Sequence, residues 1–146
     1  QVITKWSNTI SVTRIIVVND ELASDEFMAD VYRMAAPPMI DVDVIAVDQF
    51  VADAAAGAYA TGNVMVLFRG IDDALAVIQR GVALPHVQIG GLGSGGGKTT
   101  VVKGIAIDMA DADKLTAIQD AGAPVTFQVT PEEPRLDLQS AIRKVR

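Results

Sequence analysis

The sequence alternates between short apolar runs and helical patterns, and this alternation restricts the fold more than any other feature. The first apolar run, Arg14–Val18, is a continuous stretch of mainly β-branched residues, which is typical of a strand covered on both faces. A helical pattern over 22–35 follows, and two consecutive prolines end it. The same pair of patterns recurs at intervals of roughly twenty residues, which predicts parallel βαβ units with right-handed crossovers. We therefore expect an α/β fold, a three-layer open sheet that is mostly parallel, with helices on both faces.

The remaining segments extend the alternation to both ends of the chain. The other predicted strands are 42–47, 63–68, 86–90, 100–107 and 125–129. The other predicted helices are 1–9, 48–56, 71–79, 111–121 and 136–145. No segment has the composition of a linker, so a single domain is expected over residues 1–146.

Composition excludes several classes of function. Twelve Lys and Arg against eighteen Asp and Glu give a net charge of -6, which argues against a surface that binds nucleic acid or anionic lipid. The absence of cysteine excludes disulfides and thiolate chemistry, and a single histidine excludes a site that needs two. No apolar stretch reaches the roughly 20 residues of a membrane span, and the N-terminus lacks a signal-peptide pattern. The chain is expected to be soluble and cytoplasmic.

The segment Gly91–Thr100 is similar to a phosphate-binding loop but departs from its spacing. With Lys98 in the position of the loop lysine, the first required glycine falls on Leu92. The residues after Lys98 alternate like a strand, whereas the loop lysine should begin a helix. A flexible surface loop is favoured, and a nucleotide-binding α/β protein that uses this segment is the alternative.

Two further candidates are expected to be structural. His86 begins a predicted strand, away from the carboxyl ends of the strands, where open α/β sheets bind ligands. It is expected to be a structural or surface residue. Asp108, Asp111 and Asp113 resemble the start of a calcium loop, but Lys114 replaces the required glycine. They are expected to cap the helix that follows and to supply its acidic first turn.

The turns after the strands are the strongest candidates for a site. Because parallel strands all end at the same edge of a sheet, Asn19, Asp20, Arg69, Gly90 and Gly91 are expected around one crevice. Arg69 is the only cation among them. A guanidinium and exposed glycine N–H groups suit a phosphoryl group.

Short motifs on separate predicted strands connect the chain to a known family. They are Gln1–Trp6, Arg14–Glu21, Asp25–Glu26, Ala35–Pro38, Leu67–Arg69, Gln79–Val82, Ile89–Gly91, and Gly97–Lys98 with Lys103. In this order, over nearly the whole chain, they resemble IIB subunits of the mannose/fructose/sorbose branch of the bacterial sugar phosphotransferase system (PTS).

The resemblance implies a cytoplasmic phosphocarrier. A histidine accepts a phosphoryl group from phosphohistidine on the IIA domain and passes it to a sugar held by the membrane subunits IIC and IID. This scheme needs no metal or nucleotide cofactor. The resemblance also implies association with IIA or with a second copy of the chain.

The family's acceptor histidine falls outside this sequence. In family members a strand, a loop reading Arg-Ile-Asp-Asp-Arg and a His-Gly pair precede the Gln-Val with which this chain opens, so the histidine is expected just before Gln1 and His86 does not match it. The residues between Gly93 and Gly97 also differ from the family pattern, and no role is assigned to them. Two explanations stay open: the leading segment belongs to the biological protein, or the protein is a non-catalytic remnant of the IIB fold. We expect the first, because losing an interior strand would expose apolar strand edges.

Overall fold

The computed structural model describes residues 12–59, 64–91 and 97–145. The helix expected over residues 1–9 lies outside these ranges. The chain divides into two units, the first ending at Val82 and the second beginning at Ala83. The assignment of all 146 residues to one family domain stays a prediction.

The first unit is built on a parallel sheet. Its strands are β1 (Arg14–Val18), β2 (Asp41–Ile45) and β3 (Val64–Phe68), arranged in the order β2-β1-β3. Residues 15–18 of the central strand are at most 2% exposed. The β-branched run forms this strand because its side chains are covered on both faces.

Helices cover both faces of this sheet. They are α1 (Asp20–Ser24), α2 (Glu26–Met34), α3 (Val47–Ala55) and α4 (Ile71–Gln79). Leu22 and Ala29, from the first two helices, pack with Ile15 and Val17 of β1. Phe50 of α3 and Val77 of α4 pack on the opposite face of the same strand. The expected three-layer α/β arrangement is confirmed in this unit.

Asp25 divides what the sequence predicts as one helix over 22–35. Its backbone is extended, with φ -109° and ψ 94°, and its side chain accepts a hydrogen bond from the Met28 amide at 3.1 Å. A carboxylate that caps a helix in this way starts a new helix instead of continuing the previous one. The prediction of a single helix was therefore wrong, and α2 begins after Asp25.

The second unit contains mixed strand pairings. Its strands are β4 (Val87–Ile89), β5 (Thr99–Val102), β6 (Ile105–Ile107), β7 (Val125–Phe127) and β8 (Leu136–Asp137). β4 pairs with β7 in parallel, β7 pairs with β8 antiparallel, and β5 and β6 form an antiparallel pair. The helices of this unit are α5 (Met109–Asp120) and α6 (Leu138–Val145). Among the described residues, no helix combines the length and the apolar character that crossing a bilayer requires.

Two predicted elements of this unit were wrong in detail. The strand expected over 100–107 is a hairpin, because Gly104 takes a φ of +91°, a conformation that favours glycine and reverses the chain. The helix expected over 136–145 begins at Leu138, and the two residues before it pair with β7. Asp137 accepts a hydrogen bond from the Ser140 amide at 2.7 Å, which caps the start of α6.

Candidate functional site

The carboxyl ends of the three strands in the first unit are level with one another. Val18 is in register with Ile45 on one side and with Phe68 on the other. The turns that follow these strands therefore lie side by side at one edge of the sheet, and α1, α3 and α4 begin there. The structure brings the Asn19-Asp20 turn and Arg69 together at this edge, while their role in phosphoryl binding stays a prediction.

Asn19 uses both ends of its side-chain amide to connect two helices. Its Oδ1 accepts a hydrogen bond from the Leu22 amide at 3.0 Å, which caps α1. Its Nδ2 donates to Oδ2 of Asp73 at 2.9 Å, in the first turn of α4. Asn19 therefore fixes the position of α4 relative to β1, and this bracing role was not predicted from the sequence.

Asp20 caps α3, the helix that begins in the turn after the neighbouring strand β2. Its Oδ1 accepts a hydrogen bond from the backbone amide of Val47 at 2.8 Å. The N-cap residue of α3, Ala46, offers no side-chain oxygen for this amide. Asp20 therefore satisfies a helix N-terminus that would otherwise be open, and it connects the end of β1 to the end of β2.

Removing the side-chain oxygens of Asp20 should reduce the stability of the fold. We expect Asp20→Ala to lower the free energy of unfolding by about 1 kcal/mol, because the Val47 amide loses its acceptor. Asp20→Asn should change it much less, since the asparagine Oδ1 can accept the same hydrogen bond. Urea unfolding of the two variants and the parent chain measures the difference. Equal losses in both variants would show that Asp20 contributes through its charge.

Arg69 is the cation of this edge, and it is exposed. It follows β3 and precedes Gly70, the N-cap of α4, which has no side chain to cap the helix. The other arginines of the first unit, Arg14, Arg33 and Arg80, each form an ion pair. Among the described residues, Arg69 has neither an ion pair nor a side-chain hydrogen bond. Its five N–H donors are thus available to an anion from outside the described chain.

Gly90 and Gly91 follow β4, in the second unit. Neither has a backbone conformation that requires glycine, and a Cβ on Gly90 would lie 3.9 Å from the carbonyl oxygen of Gln128. Gly91 is exposed, and among the described residues no atom would lie within 4 Å of its Cβ. Substitution at Gly91 therefore meets no steric barrier from the part of the chain that the structure describes. The part of both glycines in a phosphoryl site stays a prediction.

Lys98 has a structural partner at the end of the glycine-rich segment. Its Nζ lies 3.1 Å from Oδ2 of Asp111, whose side chain is 14% exposed. The chain continues from Lys98 into β5, and no helix begins there. Phosphate-binding loops instead place their lysine at a helix N-terminus. The described residues therefore give no support to the nucleotide-binding alternative.

Asp108 and Asp111 cap α5, as the sequence predicted. Oδ1 of Asp108 accepts a hydrogen bond from the Asp111 amide at 2.8 Å, and Oδ2 of Asp111 accepts one from the Asp108 amide at 3.2 Å. This reciprocal pair is a capping box. The hydrogen bond from the Asp111 amide lowers the pKa of Asp108 below its usual value.

His86 lies directly before β4 and is exposed, as expected for a surface histidine. Its Nε2 is 2.8 Å from Oγ1 of Thr126, on the neighbouring strand β7. Partial burial of the ring and, to a smaller extent, the charge of Arg135 lower the pKa of His86 below its usual value. The ring is therefore mostly neutral at pH 7.

Comparisons with known proteins agree with one another. The sequence model of the family described as "PTS system sorbose subfamily IIB component" matches residues 1–146. The chain is 28% identical over 144 residues to the PTS system sorbose-specific EIIB component of Klebsiella pneumoniae, which covers 99% of this chain and 88% of that relative. It is 29% identical over 145 residues to the PTS system mannose-specific EIIAB component of Escherichia coli strain K12, over 99% of this chain and 45% of that relative.

The structural comparison agrees with these sequence matches. The crystal structure of the IIBSor domain of the sorbose permease from Klebsiella pneumoniae superposes with a TM-score of 0.89 at 28% identity. It covers 100% of this chain and 90% of that one. The α/β fold with a mostly parallel sheet is therefore shared with a solved structure.

Proposed function

Because the chain belongs to the sorbose subfamily of PTS IIB components, we propose that it carries a phosphoryl group from phosphorylated IIA to a sugar. The observation that supports this most strongly is the family match over residues 1–146. The membrane subunits IIC and IID would hold the sugar during uptake, and the carrier would work in the cytoplasm as a phosphotransferase. No metal or nucleotide takes part in this scheme.

The acceptor in this proposal is the histidine of the His-Gly pair that precedes Gln1 in a longer chain. In the first transfer its imidazole nitrogen attacks phosphorus, and the phosphorus–nitrogen bond of phospho-IIA breaks. In the second transfer a sugar hydroxyl oxygen attacks phosphorus, the new phosphorus–nitrogen bond breaks, and the released imidazole nitrogen accepts the hydroxyl proton. Both steps depend mainly on positioning and on stabilising the charge of the phosphoryl oxygens.

The edge of β3 supports a leading strand in that longer chain. Among the described residues, β3 pairs with β1 alone. Its five residues are all apolar and all half-buried, so none of them is fully covered. An open apolar edge of this kind accepts a further strand, and exposed it would promote aggregation.

Residues at the carboxyl edge of the sheet take different roles in the proposed site. The Arg69 guanidinium binds phosphoryl oxygens, because it is exposed and has no partner among the described residues. Asn19 and Asp20 act through the helices that they hold in place.

Phosphorylation of an extended chain tests the proposal. The chain is produced with the family's leading segment, including the histidine before Gln1, and is incubated with phosphorylated IIA. We expect an acid-labile phosphohistidine that disappears when that histidine is replaced by alanine. His86→Gln is the matched control and should retain the full label, since His86 lies beside β4 and bonds Thr126.

Three outcomes would contradict this function. No label on the extended chain would favour a non-catalytic remnant of the IIB fold. Label that depends on His86 would move the acceptor to the second unit. A rise in melting temperature that requires ATP would instead support nucleotide binding.

A further inference from the structure

Large apolar side chains are exposed along one helix and the loop after it. Phe27, Val31 and Met34 of α2 are 76%, 44% and 85% exposed, and Met39 in the loop is 97% exposed. We call these four residues the α2 stripe. They include four of the five exposed large hydrophobic residues in the described part of the chain. Scattered exposed apolar residues are ordinary, whereas a contiguous group marks an interaction surface.

The α2 stripe faces away from the core of the first unit. On the opposite side of the helix Ala29 is 3% exposed, and Met28 and Tyr32 pack against the core cluster that contains it. Residues 27, 31 and 34 have the spacing that places side chains on one helix face. Met39 has a φ of 70°, which is uncommon for a residue other than glycine. The helix thus has two apolar faces, and only one is covered in the described chain.

Charged residues flank the stripe in a self-complementary order. Glu26 and Asp30 lie toward the start of α2, Arg33 lies near its end, and all three are exposed. The helix positions of these residues place them along the same flank of the stripe. Two such helices can pair antiparallel about a two-fold axis. The charged flank of one copy then lies beside the charged flank of the other, and the residues run in opposite directions along the two flanks. Arg33 pairs with Asp30 of its own helix at 2.9 Å, and in the dimer it also faces the interval between Glu26 and Asp30 of the other copy.

The exposed area is sufficient for a modest dimer. If a fully exposed Phe or Met side chain presents roughly 200 Å², the α2 stripe exposes roughly 600 Å² per copy. Complete burial of the stripe in both copies would remove about 1,200 Å² from water, which is the lower end of the range for specific interfaces.

We propose that two copies of this chain associate through the α2 stripe, with their α2 helices antiparallel. A second copy fits this surface because the flank of its own α2 supplies the opposite charges in the reversed order. Antiparallel pairing also places opposite ends of the two helix dipoles together. This inference does not depend on the phosphoryl chemistry, since association is measured as mass.

Sedimentation equilibrium over a range of concentrations tests the interface. The parent chain should approach a mass of twice 15.4 kDa as its concentration rises. Phe27→Asp should weaken association by about tenfold or more, because it replaces the largest apolar side chain of the contact with a charge. Met109→Asp is the matched control: Met109 is another exposed methionine, 42% exposed at the start of α5, and its replacement should leave association unchanged.

Exchanged charges test the antiparallel arrangement. Arg33→Glu alone, and the double variant Glu26→Lys with Asp30→Lys, should each associate less than the parent chain. An equal mixture of the two should recover a dimer, since every flank contact then joins opposite charges. Circular dichroism confirms that each variant keeps its helices.

Three results would overturn the proposal. A parent chain that stays monomeric at every concentration would show that the α2 stripe is not a dimer surface. Association that is unchanged by Phe27→Asp would place the contact elsewhere, for example at the edge of β3. Charge variants that fail to pair when mixed would exclude the antiparallel geometry.

Discussion

Replacing Arg69 with glutamine is expected to slow phosphoryl transfer from IIA to the extended chain by about 10- to 100-fold. Glutamine keeps a polar side chain but loses the positive charge and the two-pronged donor geometry that suits phosphoryl oxygens. Arg69 is exposed and has no ion pair or side-chain hydrogen bond among the described residues, so its replacement should leave stability within about 0.5 kcal/mol. Rapid-quench measurement of the transfer rate, together with urea unfolding, separates the two effects.

Arg33→Gln is the matched control for this experiment. Arg33 is also an exposed arginine of the first unit, but it lies on α2 and pairs with Asp30 at 2.9 Å. Its replacement should leave the transfer rate unchanged.

Transfer that proceeds normally in Arg69→Gln would remove Arg69 from the proposed site, and Arg69→Lys would then be uninformative. If transfer is slow in Arg69→Gln, Arg69→Lys should restore only part of the rate. A lysine ammonium restores the positive charge but lacks the two parallel N–H donors of the guanidinium.

Phe50→Ala should produce the largest loss of stability among the substitutions considered. Phe50 is 2% exposed, its ring stacks on Tyr59 with centroids 5.2 Å apart, and it meets Phe68 edge to face at 6.4 Å. Truncation to alanine removes these contacts and leaves a cavity between α3 and the sheet. We expect a loss of about 3 to 5 kcal/mol in the free energy of unfolding, measured by urea denaturation.

The volume dependence of this loss identifies its cause. Phe50→Leu keeps much of the apolar volume and should cost clearly less than Phe50→Ala. Because Phe68 is the residue before Arg69, Phe50→Ala should also slow phosphoryl transfer under conditions in which the variant stays folded. A loss of less than about 1 kcal/mol on truncation to alanine would show that the aromatic cluster contributes little to the fold.

The apolar patterns of the sequence predicted the elements whose signal is local. The predicted helix over 71–79 matches α4 (Ile71–Gln79), because it has a helical apolar pattern and a glycine beyond each end. The β-branched run before Asn19 was correctly predicted as a strand covered on both faces. The break at Asp25 and the hairpin turn at Gly104 were missed. A capping aspartate and a turn glycine each occupy one position within an otherwise regular pattern. The apolar periodicity on both sides of each residue therefore predicted one continuous element.

The candidate site was predictable only in outline. Parallel strands end at one edge, and that rule alone grouped Asn19, Asp20 and Arg69. The two hydrogen bonds that brace this edge join residues 54 and 27 positions apart, to Asp73 and to the Val47 amide. The spacing of residues in a single sequence does not predict hydrogen bonds between positions so far apart. An acidic residue in the first turn of a helix is the only signal that Asp73 offers, and many helices have one.

Arg69 is the arginine without an ion pair in the described part of the first unit, and this has a consequence for how the proposed carrier could pass on its phosphoryl group. Where the structure describes the edge of the first unit, the amides at the starts of α1 and α3 already bond Asn19 and Asp20. A phosphoryl group at the proposed site would meet Arg69 as its one cationic donor among the described residues, which favours a shallow free-energy well. A phosphocarrier must release the phosphoryl group that it receives. A site that bound this group more tightly would slow its transfer to the sugar.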